Sequence, residues 1–145
     1  MKQIFKILSI TLLFSQSLYA QLDSIYDQGT YRTFIMHLPT GYDDSKEYPL
    51  VLNLHGLRAN AQQQQTYSQF DDVADQKGFI VVYPNAIDES WSTSGNTDID
   101  FLTHLVDSIR AEYSTNDCLF VTGFSQGGFM TYKFANNTTH AIKAI

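Results

Sequence analysis

Ser125 lies within Gly123–Gly128, a segment with the spacing G-x-S-x-G followed by a further glycine. It follows a near-continuous apolar run, Cys118–Thr122, and precedes a helical pattern. So tight a turn from strand to helix strains the backbone of the serine and exposes its Oγ, and side chains two positions away would collide. Glycine at 123 and 127 avoids that collision, and the following helix directs its N-terminal amides at the site. The pattern predicts a nucleophilic serine; the alternative is an ordinary glycine-rich turn.

A second segment predicts the donors of an oxyanion hole. His55, Gly56 and Leu57 follow another apolar run, Pro49–Leu54. In hydrolases with such a serine, this loop gives one backbone N–H to the oxyanion and the residue after the nucleophile gives the other. We therefore predict that the N–H groups of Leu57 and Gln126 bind the oxyanion, which typically contributes orders of magnitude to the rate. His55 is interpreted as a brace for this loop, because the order Ser…Asp…His places the base after the nucleophile.

Strands alternate with helices along the rest of the chain, which predicts an α/β fold with a mostly parallel sheet and flanking helices. We expect Cys118–Thr122 to pair with Leu50–Leu54 at the centre of the sheet. Strands are predicted at Tyr31–Leu38, Pro49–Leu54, Phe79–Tyr83, Cys118–Thr122 and Ala141–Ile145, and helices at Ala61–Lys77, Asp98–Tyr113 and Phe129–Ala135. The second helix carries an apolar face made by Ile99, Leu102, Leu105, Val106 and Ile109. Thr97 and Asp100 match a capping pattern, and Asp98 is likewise assigned to capping.

Four segments together carry a resemblance to a known family. They are Leu54–Ala61, with the pattern H-G-x-x-x-N-A; Lys77–Pro84; Trp91 with Asp98–Leu102; and Val121–Ala135 around the serine. Each resembles the corresponding segment of the secreted esterases that include poly(3-hydroxybutyrate) depolymerases, feruloyl esterases and acetylxylan esterases. The resemblance runs from about Tyr31 to Ile145. It implies an α/β-hydrolase fold and hydrolysis of carboxylic esters, in extracellular polyesters or plant-wall polysaccharides, without a cofactor.

Two features of the resemblance leave alternatives open. The hexapeptide around Ser125 also resembles carboxylesterases of the acyl-protein thioesterase type, whereas the segments at Asn60 and Trp91 favour the secreted family. Trp91 is the candidate substrate-binding residue, because an indole stacks on a phenolic or sugar ring; packing in the core is the equal alternative.

The chain departs from that family after the nucleophile. Residues 126–145 contain no Asp or Glu, and their single histidine is His140. In the family the triad Asp and His follow later strands. We therefore expect an α/β-hydrolase domain truncated before its last strands, inactive as these 145 residues alone. The alternatives are a non-catalytic binding protein that kept the cleft and a fragment without a function of its own.

The N-terminus predicts the location of the protein, and the composition excludes several kinds of ligand and partner. Residues 1–20 combine two lysines, an apolar run at Ile7–Phe14 and Ala20, which predicts a signal peptide cleaved after Ala20 and a secreted or periplasmic domain at 21–145. Nine Lys and Arg against fifteen Asp and Glu give a net charge of −6, which argues against nucleic acid as a partner. One cysteine and four scattered histidines predict no metal site. No nucleotide-binding motif occurs, and no membrane association is expected after cleavage.

Overall fold

The computed structural model describes residues 22–92 and 94–145; the predicted signal peptide at 1–20 and its cleavage site lie outside the described residues. The strands are β1 (Leu22–Asp27), β2 (Thr30–His37), β3 (Tyr48–Leu54), β4 (Ile80–Pro84), β5 (Thr115–Gly123) and β6 (Ile142–Ala144). The helices are α1 (Ala61–Ser68), α2 (Phe70–Lys77), α3 (Thr97–Glu112) and α4 (Gln126–Asn137), with a short 3-10 turn at Ile87–Glu89. Within residues 22–92 and 94–145, none of the helices has the length and hydrophobicity that spanning a bilayer requires.

The strands form one mixed sheet in the order β1-β2-β4-β3-β5-β6. Strands β4, β3, β5 and β6 are parallel, and β1 and β2 extend the sheet in antiparallel pairing. At its centre, Leu52 of β3 lies opposite Val82 of β4 on one side and Val121 of β5 on the other. These side chains are buried because helices cover both faces, which is why the strands read as continuous apolar runs. The predicted α/β fold and the central pairing of β3 with β5 are confirmed.

Strand β1 was absent from the sequence prediction. It forms a hairpin with β2, in which Leu22 pairs with Ile35 and Asp27 with Thr30. The two-residue turn is Gln28-Gly29, and both residues have positive φ. A glutamine is an uncommon choice at such a position, so the turn gave only a weak signal in the sequence.

The predicted helix at Ala61–Lys77 is two helices. Gln69 adopts a left-handed conformation (φ 52°) that ends α1 and begins α2. A helix over this range is expected to place Tyr67, Phe70, Val73 and Ala74 on one apolar face. That expectation is partly wrong, because Tyr67 and Val73 are exposed while Gln64 is buried. Burial of that amide is possible because its Nε2 donates to Asn53 Oδ1 at 2.8 Å.

Helix α3 has the predicted core face, since all five residues predicted for that face are buried. The predicted capping is wrong: the N-cap is Asn96, and it makes no side-chain capping bond. Asp98 is instead buried and forms an ion pair with Arg32. Helix α4 begins at Gln126, three residues earlier than expected and directly after Ser125.

Candidate active site

Ser125 occupies the turn between β5 and α4 with φ 52° and ψ −115°. A positive φ strains any residue that has a Cβ, and such strain is held only where the surroundings fix the backbone. The residue is exposed, and its side chain makes no capping bond to α4. Its backbone oxygen accepts from Phe129 N–H at 3.2 Å, so the helix starts at once. The hydroxyl lies at the N-terminus of α4 and has no hydrogen-bond partner among the described residues.

Close backbone packing explains the glycines on either side of Ser125. A Cβ on Gly123 would lie 2.6 Å from the carbonyl carbon of Gly127. A Cβ on Gly127 would overlap the carbonyl oxygen of Leu54 and lie 2.6 Å from that of His55. Phe124 N–H also donates to Leu54 O at 3.0 Å. The ends of β3 and β5 are thus in contact, and the loop after β3 lies beside the nucleophile.

The loop after β3 carries the first predicted oxyanion donor. A Cβ on Gly56 would lie 3.0 Å from the Phe124 ring, so this loop packs directly on the nucleophile turn. Gln126, which carries the second donor, is the first residue of α4, where N–H groups lack partners within the helix. Within the described residues, neither Leu57 N–H nor Gln126 N–H donates to a protein acceptor. Both N–H groups thus lack a protein acceptor, as the donors of an oxyanion hole must.

His55 is buried directly before this loop. Its Nε2 accepts a hydrogen bond from Ala86 N–H at 3.0 Å, so the ring proton is on Nδ1, which donates to Gly56 O at 2.7 Å. Burial lowers the pKa of this imidazole below its ordinary value. A neutral ring whose lone pair is already engaged cannot take the proton of Ser125. The contacts are those of a brace for the loop.

The indole ring of Trp91 packs against the imidazole ring of His55. The two rings are tilted with centroids 5.0 Å apart, and Trp91 Nε1 donates to His55 O at 2.8 Å. Only 2% of the tryptophan is exposed. Core packing therefore describes Trp91 in this structure, and a contact between its indole and substrate stays a prediction.

The side chain of Gln126 links the nucleophile turn to the Trp91 segment. Its Oε1 accepts from Trp91 N–H at 3.1 Å, and its Nε2 donates to Ser90 Oγ at 3.2 Å and to Trp91 O at 3.3 Å. The sequence placed only the backbone N–H of Gln126 at the site. This side-chain role follows from the fold of the loop before α3, for which the sequence holds no motif.

The remaining histidines are engaged away from Ser125. His140 contacts Asp107 and Thr103 O, His104 contacts Asp27, and His37 contacts Asp75 at 2.8 Å. Across residues 22–92 and 94–145, no imidazole or carboxylate forms a hydrogen bond with Ser125. Among the described residues, the candidate site thus combines the predicted nucleophile with the two predicted oxyanion donors, and no proton acceptor is hydrogen-bonded to the hydroxyl.

Comparisons with known proteins show that the chain is similar to esterases. A family model described as "Putative esterase" matches residues 27–138. The bifunctional acetylxylan esterase/xylanase XynS20E of Neocallimastix patriciarum is 29% identical over 121 residues, covering 81% of this chain and 18% of that protein. Feruloyl esterase C of Emericella nidulans is 26% identical over 120 residues, covering 79% of this chain and 44% of the relative. The chain therefore spans less than half the length of these curated relatives.

Solved structures share the fold. The S-formylglutathione hydrolase FrmB of Staphylococcus aureus superposes with a TM-score of 0.70 at 18% identity, covering 88% of this chain and 57% of that one. The CE1 ferulic acid esterase AmCE1/Fae1A of Anaeromyces mucronatus superposes with a TM-score of 0.66 at 20% identity, with the same coverage. At these identities the likeness establishes the α/β-hydrolase fold.

Proposed function

The chain belongs to this esterase family, and from that premise we propose that it supplies the nucleophile and the oxyanion hole of a serine carboxylic ester hydrolase. Ser125 Oγ attacks the ester carbonyl carbon, and the N–H groups of Leu57 and Gln126 bind the oxyanion of the tetrahedral intermediate. Its collapse expels the alcohol and leaves an acyl group on Ser125, which water then removes. The observation that carries the proposal is the exposed, strained Ser125 beside two amide groups without protein acceptors.

The proton acceptor in this proposal comes from outside the described residues. Every described histidine is engaged elsewhere, and His55 is neutral and buried. The chain also covers only 44% of the feruloyl esterase C to which it is similar. An Asp–His pair downstream of Ser125 in the natural protein, meaning the chain as its gene encodes it, would take the serine proton and return it to the leaving alcohol.

The proposed substrates are carboxylic esters in extracellular polymers. The relatives' names support acetylxylan and feruloyl esters, and the family resemblance adds other plant-wall esters and polyhydroxybutyrate. The charge and apolar pattern of residues 1–20 supports export of the protein to such substrates. Hydrolysis of methyl ferulate, acetylated xylan and polyhydroxybutyrate, measured side by side with a palmitoyl thioester, would separate the wall and polyester substrates from the acyl-protein thioesterase alternative.

The nucleophile is tested by labelling the natural protein with a fluorophosphonate. We expect the probe on Ser125, and Ser125→Ala should abolish both labelling and ester turnover. Ser114→Ala is the matched control, because both serines lie between Arg110 and Lys133 and so fall in one tryptic peptide. Ser114 Oγ is engaged with Asp44 O and should not react. Labelling at Ser114, or a folded natural protein that is neither labelled nor active, would contradict the proposal; the second result would favour the non-catalytic binding protein.

A further inference from the structure

A buried ion pair lies behind the proposed oxyanion loop. Arg32 Nη2 of β2 donates to Asp98 Oδ1 of α3 at 2.7 Å, and the two side chains are 2% and 4% exposed. The guanidinium carbon lies 3.8 Å from the ring centroid of Phe101, which covers one face of the group. Burying two charges costs desolvation, so such a pair adds little stability compared with apolar side chains of similar volume. The ion pair instead fixes the positions of the Arg32 and Asp98 side chains.

One route from this pair reaches His55 through a single peptide group. Arg32 Nη2 also donates to Asn85 O at 3.2 Å. The N–H of the same peptide, that of Ala86, donates to His55 Nε2 at 3.0 Å. Arg32 therefore holds one end of a peptide whose other end fixes the tautomer and the orientation of the His55 ring.

A second route reaches His55 through the Trp91 segment. Asp98 Oδ2, the carboxylate oxygen that Arg32 does not contact, accepts from Ser92 N–H at 2.6 Å. This bond tethers the residue next to Trp91, whose indole N–H donates to His55 O at 2.8 Å. The ring and the carbonyl of His55 are thus both held by contacts that lead back to the ion pair.

We propose that Arg32 and Asp98 are positioning residues for ester hydrolysis, which act by holding His55 so that Leu57 N–H points at the oxyanion. The inference rests on the proposed function for its catalytic part. His55 and Leu57 are separated only by Gly56, so a rotation of the His55 peptide moves the donor directly. A displacement of about 1 Å in a catalytic group can cost about a hundredfold in rate.

The test compares variants of the natural protein that break one route each. Arg32→Met removes the hydrogen bonds from Arg32 Nη2 to Asn85 O and to Asp98 Oδ1. Asp98→Asn keeps one side-chain oxygen as an acceptor for Arg32 but places an amide NH₂, which cannot accept, opposite Ser92 N–H. Each should lower kcat about tenfold to a hundredfold and leave KM within about twofold. Affinity for a trifluoromethyl ketone, whose adduct places an oxyanion in the hole, should fall in proportion to kcat. Arg32→Lys should recover part of the rate, because an ammonium can still donate to both oxygens.

Leu105→Ala is the matched control for lost stability. Leu105 is buried in α3 one turn beyond Phe101, and truncating it destabilises the core without touching either route. Its kcat, calculated per active site titrated with the fluorophosphonate, and its affinity for the trifluoromethyl ketone should equal those of the wild type. If Arg32→Met and Asp98→Asn behave like this control, the pair is only structural and the proposal is overturned.

Amide hydrogen exchange separates the positioning claim from the proposed function. The hydrogen-bonded N–H groups to follow are those of Arg58, which donates to Glu89 O directly after Leu57, and of Ala86 and Ser92. Their exchange should accelerate in Arg32→Met and Asp98→Asn and remain unchanged in Leu105→Ala. A natural protein without Ser125-dependent turnover would sink the proposed function, while the exchange data would still decide whether the ion pair holds the loop. Unchanged exchange at Arg58 N–H in both variants would overturn the inference even if the enzyme is active.

Discussion

Gly127 lies directly against the carbonyl oxygen of Leu54, so that the first turn of α4 touches the end of β3. The contact fixes the distance between the helix that carries Gln126 N–H and the loop that carries Leu57 N–H. Two oxyanion donors act together only if both N–H groups point at the same oxygen atom. In the proposed mechanism, Gly127 is thus part of the geometry that aligns the two proposed oxyanion donors.

Gly127→Ala tests this contact. The new methyl group would overlap Leu54 O, and relieving the overlap requires α4 to shift. We expect a loss of about 1–3 kcal/mol or more in the free energy of unfolding and loss of most ester turnover. Gly128→Ala is the matched control, because its Cβ would come no closer than 3.3 Å to Gly123 O. Urea unfolding and kcat of both variants check the prediction; equal effects would show that the contact with Leu54 is unimportant.

The strain at Ser125 predicts that two inactive variants differ in stability. Ser125→Ala and Ser125→Gly both remove Oγ, but only glycine adopts φ 52° without strain. Backbone strain of this kind costs about 1–3 kcal/mol, and glycine loses about 1 kcal/mol through its greater freedom in the unfolded chain. We expect Ser125→Gly to be more stable than Ser125→Ala by about 1 kcal/mol in urea unfolding. An alanine variant of equal or greater stability would mean that the turn relaxes without its hydroxyl.

Sequence patterns predicted the parts of this site that depend on local geometry. Continuous apolar runs revealed β3 and β5, and the spacing of Gly123, Ser125 and Gly127 indicated the turn between strand and helix. Each of these signals reflects a steric or burial constraint on residues a few positions apart, so a single sequence displays it.

Contacts between distant segments could not be predicted in the same way. Arg32 of β2 and Asp98 of α3 are 66 residues apart in the sequence and meet only in the folded chain. The sequence pattern around Asp98 predicts a capping role at the start of a helix, whereas in the structure Asp98 is buried in an ion pair with Arg32. The buried Gln64 likewise depends on Asn53, a partner from a neighbouring strand. Polar residues in a core are placed by such partners, which local periodicity does not reveal.

The neutral state of His55 makes stability depend on pH. Burial lowers its pKa in the folded protein below the ordinary value of 6.5. Below pH 6.5 the unfolded chain binds a proton here that the folded chain does not, so the free energy of unfolding falls as pH falls. The slope is at most about 1.4 kcal/mol per pH unit and ends at the folded pKa. His55→Gln keeps an acceptor for Ala86 N–H and removes the titrating ring.

We therefore expect the wild type to be more stable than His55→Gln at pH 7.5 and the difference to shrink toward pH 5.5. Urea unfolding of both proteins across this range gives the measurement, and the other titratable groups are common to both. A difference that stays constant with pH would mean that His55 is protonated equally in the folded and unfolded states.

Trp91→Phe distinguishes a supporting role from a substrate contact. Phenylalanine keeps most of the packing against the His55 ring but loses the indole donor to His55 O. We expect kcat to fall by about tenfold or more with KM nearly unchanged, because the oxyanion loop loses a tether. A rise in KM at constant kcat, seen with an aromatic ester but not with an acetate ester, would instead identify Trp91 as the substrate-binding residue that the sequence predicted.

Residues 21–145 on their own are expected to be a poor catalyst and to associate. An unassisted serine hydroxyl is a weak nucleophile, and the described residues offer Ser125 no base. Strand β6 pairs with β5 at only two positions and has no second neighbour within residues 22–92 and 94–145. Beside this edge an apolar groove is lined by Val51, Val73, Phe79, Phe120 and Ile145, among others. An open edge next to an apolar groove favours association between copies.

Three measurements on Gln21–Ile145 check this: p-nitrophenyl acetate hydrolysis, thermal unfolding and sedimentation velocity. We expect no turnover above that of Ser125→Ala, a broad unfolding transition, and oligomers that dissociate when Val73→Glu places a charge in the groove. Val73 is exposed on α2, so the substitution leaves the core intact. A monomer that melts cooperatively and hydrolyses the ester in a Ser125-dependent manner would contradict the prediction. His140, His104 and His55 would then have to be tested as the base, each by substitution with glutamine, because these histidines could accept the serine proton only after a rearrangement of the present contacts.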